Sequence, residues 1–225
     1  MSVVIFDVGS TLIHPDFVVL ADWLQDSTGF RRSAEEVERA FRVAVNGDLR
    51  RPVSSAQREE GRTFFSFLGL EQELEECRID ACWAEVNRGG GEGSWLYTVL
   101  DPDAVSVLSD LKQGGCTLVA ASNSNGTLRA ELRSFRLLDF FDEVYDSALL
   151  GTDKPARQFY MRVLANSTGR WTLHVGDDLI NDCIAPAACG FHQVLLYDPL
   201  DLLPGLPRYL KIQRLPEILD AMEET

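Results

Sequence analysis

Ser2-Val3-Val4-Ile5-Phe6-Asp7-Val8-Gly9-Ser10-Thr11-Leu12 is the stretch whose reading decides the fold. A β-branched apolar run ends in a single carboxylate, and a Gly-Ser-Thr turn follows at once. The pattern predicts a buried strand that delivers Asp7 to the edge of a sheet and a tight turn that leaves the acid accessible. In open α/β sheets, ligands bind at the carboxyl ends of the strands. Asp7 is therefore a candidate nucleophile or metal ligand. Gly9, two residues on, adds no side chain to help it.

Outward from this strand the texture changes twice. Residues 17 to about 86 carry helical periodicity and no convincing strand. Phe17, Leu20, Ala21 and Leu24 recur on one face, and Ser33 with Glu36 has capping-box spacing ahead of a stripe of Val37, Ala40, Phe41 and Val45. Further helices are predicted over 54–68 and 71–86, giving a four-helix bundle. Asn87 to Ser94, with four glycines, reads as a linker or hinge. Beyond it strands (117–121, 143–145, 171–175, 193–197) alternate with helices (102–111, 127–135, 158–165, 182–188). This rhythm implies βαβ units and a parallel sheet. The expected architecture is a doubly wound α/β core of residues 1–13 and 95–225, with residues 14–94 inserted as a helical domain directly after the first strand. An insert there is placed to cover the open end of the sheet, exclude water and select substrate.

At 225 residues the chain is long enough to bury a substantial core. A formal net charge of −14 opposes a nonspecific phosphate-backbone binder, so nucleic acid is not an expected partner. A small anionic substrate is compatible, because a metal and local dipoles reverse the field inside a pocket. No apolar run approaches the roughly 20 residues that cross a bilayer, and the N-terminus lacks a basic n-region. A cytoplasmic location, no membrane partner and a monomer or homodimer are expected. The five cysteines form no CxxC pair and, with three histidines, no zinc spacing, so they read as reduced and structural.

Four strand ends carry polar clusters. Asp7 is the first. Ser122-Asn123 ends the 117–121 strand with a hydroxyl and free backbone N–H groups suited to an anion. Lys154, one of only three lysines, stands ahead of Pro155 at a loop-to-helix junction, where it reads as a point charge for a phosphate or for the acid. Gly176-Asp177-Asp178-Leu179-Ile180-Asn181-Asp182 follows the 171–175 strand. Three carboxylates in six residues repel one another unless a cation sits among them, and oxygen-only ligands point to magnesium.

Asp7-Val8-Gly9-Ser10-Thr11, Ser122-Asn123, Lys154-Pro155 and Gly176-Asp177-(x4)-Asp182, in that order, resemble the four motifs of the haloacid dehalogenase (HAD) superfamily. The helical insert resembles its C1-type cap (subfamily I), and the resemblance covers nearly the whole chain. It implies a Rossmann-like core with Asp7 as nucleophile and Ser122 and Lys154 holding the transferred group. It also implies Mg2+ bound by the Asp7 carboxylate, the Gly9 carbonyl oxygen and Asp177, with Asp182 and Asp178 supporting it through water. The implied activity is phosphatase chemistry on a small phosphorylated or other anionic metabolite, through an aspartyl-phosphate.

One position departs from the pattern. Phosphatases of this superfamily usually carry a second aspartate two residues after the nucleophile, as general acid and base; here that residue is Gly9. A metal contact through a backbone carbonyl survives the exchange, whereas lost acid–base help costs a factor on the order of 10² to 10⁴. Three explanations compete. His14 or Asp16, just past the turn, substitutes for the acid. Or the chemistry is one that needs no acid there, as in metal-independent 2-haloacid dehalogenases; the imine-forming phosphonate branch is excluded because residues 13–98 contain no lysine. Or the chain is a weak or inactive relative that binds a ligand or regulates. Arg31, Arg32, Arg42, Arg50, Arg51 and Arg88 are available in the insert as an anion clamp.

Overall fold

The computed structural model describes residues 2–46, 56–87, 94–167, 170–207 and 210–223. Strand β1, Val3–Phe6, is wholly buried, as its apolar run predicts. It lies inside a six-stranded sheet with β4 (Thr117–Ser122), β5 (Glu143–Asp146), β6 (Thr172–Gly176), β7 (Gln193–Tyr197) and β8 (Lys211–Ile212). The order is β5-β4-β1-β6-β7-β8 and every pairing is parallel. From β1 the chain winds to β4 and β5, then crosses back to β6 on the other side of β1. That reversal makes the carboxyl end of β1 the switch point of the sheet, the place where ligands bind in open α/β sheets. The register aligns the ends: Phe6 pairs with Ala120 and Val175, and Ser122 pairs with Asp146.

Alternation along the strands builds a core on each face. Val3, Ile5, Val119, Ala121, Val194 and Leu196 pack with Phe159, Tyr160 and Val163 of α8 (Arg157–Leu164) and with Phe191 beyond α9 (Ala185–Cys189). Helices α5 (Ala104–Gln113), α6 (Leu128–Ser134) and α10 (Glu217–Glu223) bury Leu108, Leu132 and Ile218, and α7 (Ser147–Leu150) is a single turn after β5. Each fully buried side chain of this size contributes about 1.5–3 kcal/mol.

The chain divides into two compact units. One comprises Met1–His14 and Val99–Thr225, the other Pro15–Gly90 and Ser94–Thr98. The second unit, inserted after the first strand, holds α1 (Phe17–Thr28), α2 (Ala34–Asn46), α3 (Ala56–Phe67) and α4 (Glu76–Asn87). Leu20, Leu24, Val37, Phe41, Phe64, Phe65 and Trp83 form its core. The capping box is present: Glu36 N–H donates to Ser33 Oγ at 3.2 Å and Ser33 N–H to Glu36 Oε2 at 2.8 Å. Two of the clamp arginines are spent within this unit. Arg32 donates to the Leu68 carbonyl, and Arg42 pairs with Glu38 and lies over the Phe17 ring. Arg50, Arg51, Arg88 and the glycine run Gly89–Gly93 lie outside the described residues.

Several elements differ from the sequence reading. Ile13–Pro15 (β2) and Tyr97–Leu100 (β3) form a two-stranded sheet that was not expected. The helix expected from residue 71 starts at Glu76, because Leu70 and Glu73 close a turn instead (Glu73 N–H to Leu70 O, 3.1 Å). The helix expected over 182–188 is a π-helical turn, Leu179–Ile184, running into α9. Strand β8 and helix α10 extend the core beyond the last predicted strand. No helix among the described residues is long and apolar enough to cross a membrane.

Candidate active site

The carboxyl end of β1 positions Asp7 through its backbone. Asp7 N–H donates to Val175 O at 2.8 Å, extending the ladder by one residue before the chain turns. Ile13 N–H donates back to Val8 O at 3.0 Å and Ser10 N–H to Ile13 O at 2.7 Å, closing a compact loop. Within it, the left-handed residue is Ser10 (φ 59°) rather than the adjacent glycine. Gly9 is half-buried and makes a bridge to Ile13.

The end of β4 and the loop before α8 converge on the Asp7 carboxylate. Its Oδ1 accepts from Ser122 Oγ at 3.1 Å, from the end of β4, and from Lys154 Nζ at 2.7 Å. The same ammonium donates at 2.7 Å to Asp182 Oδ1. Lys154 is 5% exposed, so it bridges two carboxylates away from water, where a charge–charge contact is strong. Asn123 does different work from that expected. Its side chain clasps the Lys154 backbone (Nδ2 to Lys154 O, 3.0 Å; Lys154 N–H to Oδ1, 2.8 Å) and so sets where the lysine starts.

The acidic loop after β6 completes the cluster. Asp7, Asp177 and Asp182 each present a carboxylate oxygen, and the three atoms lie within 4.8 Å of one another. Asp182 folds back because Gly176 leaves room: a Cβ at Gly176 would lie 2.2 Å from Asp182 Cγ. Its Oδ2 takes the Asp178 N–H at 3.1 Å, and its Oδ1 takes His174 Nε2–H at 3.0 Å as well as Lys154. Asp178 caps the π turn through the N–H groups of Ile180 and Asn181, both at 2.8 Å.

The electrostatics follow from burial. Burial raises Asp7 above the usual carboxylate range, against the pull of Lys154, and the Asp182 charge adds to the rise. Asp182 is as deeply buried, yet Lys154 and the His174 N–H outweigh that and hold it low. The two carboxylates share one ammonium, which is itself held protonated, and they titrate as a set. Asp178 is pushed up to about 6 by burial and then by Asp182. Lys154 pairs with two of three buried carboxylates that crowd together, and charges of one sign repel in such a place. An oxygen-liganded divalent cation such as Mg2+ fits that donor set.

The two candidate substitute acids have other partners. His14 Nε2 pairs with Asp101 Oδ2 at 2.9 Å and its ring stacks on Tyr197, whose hydroxyl donates to the same Asp101 oxygen. Asp16 Oδ1 caps α1, accepting from Val18 and Val19 N–H at 3.0 and 3.1 Å.

Sequence reasoning missed two buried polar residues. His174 sits inside β6, where a histidine within an apolar strand was the available signal. Glu131 occupies the buried stripe of α6 with Leu128 and Leu132, and a carboxylate on an apolar face was the corresponding sign. Among the described residues no donor or cation contacts the Glu131 carboxylate. Burial, with the Asp7 and Asp146 charges, pushes it up to about 7.

The sequence profile of haloacid dehalogenase-like hydrolases matches residues 1–190. No functionally curated protein matches the chain in sequence. Among solved structures, the fold is similar to the HAD hydrolase YfnB from Bacillus subtilis bound to magnesium (TM-score 0.63, 19% identity, 97% of each chain covered). It is similar to a predicted phosphoglycolate phosphatase from Haemophilus somnus 129PT (TM-score 0.63, 17% identity, covering 98% of this chain and 97% of that one). It is similar also to a 2-haloacid dehalogenase from Pseudomonas syringae pv. tomato DC3000 (TM-score 0.56, 18% identity, covering 100% and 99%).

Proposed function

This chain belongs to the haloacid dehalogenase-like hydrolase family, and from that premise we propose that it is a Mg2+-dependent phosphatase of a small phosphorylated metabolite, with Asp7 as nucleophile. One observation carries the reading. Residues 7, 122, 154, 177 and 182, far apart in sequence, come together at the carboxyl ends of β1, β4 and β6 as a carboxylate, a hydroxyl, an ammonium and two further acids.

Each group has a task in such a reaction. Asp7 attacks phosphorus to form an acyl phosphate as the ester P–O bond breaks and the alcohol departs with a proton from water; a second water then attacks phosphorus and frees phosphate and the Asp7 carboxylate, so that one hard displacement becomes two easier ones. Ser122 Oγ and Lys154 Nζ, both already aimed at Asp7 Oδ1, hold the phosphoryl oxygens and neutralise their charge. Asn123 serves phosphate binding indirectly, by fixing the Lys154 backbone. Asp7, Asp177 and the Gly9 carbonyl would hold Mg2+, with Asp182 supporting it through water; the bound ion would supply charge neutralisation for the incoming phosphate. The helical unit, read as a C1-type cap, would select the metabolite.

The family's metal-independent dehalogenases are the competing chemistry, and a buried cluster of three acids argues for a cation instead. The Gly9 position favours a second reading, a slow or inactive relative that binds the ligand. One assay separates all three: a panel of phosphomonoesters with Mg2+, with EDTA and with the Asp7→Asn variant, alongside halide release from a 2-haloacid. The proposal expects phosphate release that EDTA abolishes and Asp7→Asn reduces by at least about 10³-fold. Turnover persisting in Asp7→Asn, or halide release in EDTA, contradicts it, and phosphate-analogue binding without turnover leaves the binding-protein reading.

A further inference from the structure

We propose that His174 is a positioning residue of this site, one that fixes Asp182 so that the Lys154 ammonium is held equally between Asp182 and Asp7. The inference rests on the phosphatase reading of that site and adds a residue to it. Its basis is the company His174 keeps. It is 1% exposed, in the strand next to β1, and registers with Ile5 and Val194 in the middle of the sheet. An aliphatic side chain would fill that place without burying a polar ring. A buried imidazole costs free energy unless its polar atoms are paired; Nδ1 finds no hydrogen-bond partner among the described residues, and the ring's polar contact is Nε2–H to a site carboxylate, Asp182 Oδ1, at 3.0 Å.

Three independent features hold Asp182 in one orientation. Gly176, two residues after His174, makes the space that the Asp182 carboxylate fills. The Asp178 N–H engages Oδ2. His174 and Lys154 share Oδ1, so the imidazole limits where the carboxylate can swing and hence where the ammonium rests, 2.7 Å from each acid. The ring is itself fixed by aromatic neighbours: Tyr160 meets it edge-on with centroids 6.3 Å apart and Phe191 lies at 5.5 Å. Outer partners of this kind typically alter site affinity or activity by about 10–100-fold.

The test compares His174→Leu with His174→Gln, whose amide can restore the donor. Three quantities are read on the full-length protein: the crystal structure of each variant, tungstate affinity in Mg2+, and turnover of whichever phosphomonoester the parent hydrolyses. In His174→Leu, Lys154 Nζ is expected to leave its 2.7 Å position on Asp7, tungstate binding to weaken about 10-fold and kcat to fall 10–100-fold, with thermal stability equal or higher. His174→Gln is expected to recover most of the binding and rate. If Lys154 stays in place in His174→Leu, or if Leu and Gln variants are equally impaired, the positioning role is overturned. A parent that hydrolyses no phosphomonoester refutes the phosphatase reading alone. The crystal structures still decide whether His174 places Lys154, and should His174→Leu fail to fold, His174→Gln matching the parent in all three readouts supports the role and its displacing Lys154 opposes it.

Discussion

Ser10 stands in the left-handed backbone region at φ 59°, one residue after a glycine that would tolerate it freely. A non-glycine residue there costs about 1–2 kcal/mol, partly offset in any replacement by the larger unfolded-state entropy of glycine. Ser10→Gly is therefore expected to raise stability by about 0.5–1 kcal/mol in urea titrations, and an unchanged or lower midpoint would show that the loop carries no strain. Its neighbour Gly9 is the chemical question. If only a proton donor is absent there, Gly9→Asp should speed hydrolysis of alkyl phosphates at least about 10-fold while changing aryl phosphates little, because a good leaving group needs no acid. Equal effects on both would show that another group moves the proton.

Glu131 offers a stability test with a definite sign. Its folded-state value of about 7 lies above the ordinary 4.5, so the folded chain binds the extra proton between those values. The stability this brings is complete below pH 4.5, is lost as pH rises, and is gone above about 7. Glu131→Gln should thus gain on the parent from pH 4.5 to 7 and then level off. The full shift corresponds to about 3 kcal/mol, and partial solvent screening brings the expectation nearer about 1–2 kcal/mol. A difference independent of pH would mean that Glu131 is ionised throughout.

At the scale of elements, legibility tracked length and periodicity. β1 and the capping box of α2 were readable because four apolar residues in a row and a Ser-x-x-Glu spacing are each sufficient signals. The three residues of β2 and the two of β8 are too short to show a period, and their partners are set by the fold around them. The π turn Leu179–Ile184 begins three residues before the helix that the sequence predicts from residue 182, since no composition marks the extra residue per turn; such turns recur at functional sites. His174 and Glu131 were missed because a lone polar residue in an apolar run does not reveal its partner. Gly61 shows the same limit: helix propensity alone argues for alanine within α3, yet a Cβ there would lie 2.8 Å from Trp83 Cβ in α4. Gly61→Ala is accordingly expected to destabilise by about 1–3 kcal/mol, despite a helix-propensity gain of about 1 kcal/mol, in thermal or urea unfolding. A stabilised variant would mean that α3 and α4 can separate at no cost.

For the whole molecule, alternating strands and helices after residue 100 made the parallel sheet legible, and a helical stretch between the first strand and the rest made the insertion legible. The sheet order explains why the four polar clusters converge. β4 and β6 flank β1, so the ends of these three strands lie side by side, and Lys154 reaches the same place from the loop before α8. In a chain of net charge −14, a buried lysine stands where those ends meet, paired with Asp7 and Asp182. The most direct measurement is a crystal structure of the protein soaked with Mg2+ and BeF3−, a mimic of a phosphorylated carboxylate. BeF3− is expected on an Asp7 oxygen, contacted by Ser122 Oγ and Lys154 Nζ, with Mg2+ about 2.1 Å from oxygens of Asp7 and Asp177. An unmodified Asp7, with the fluoride or the metal bound elsewhere, would contradict it.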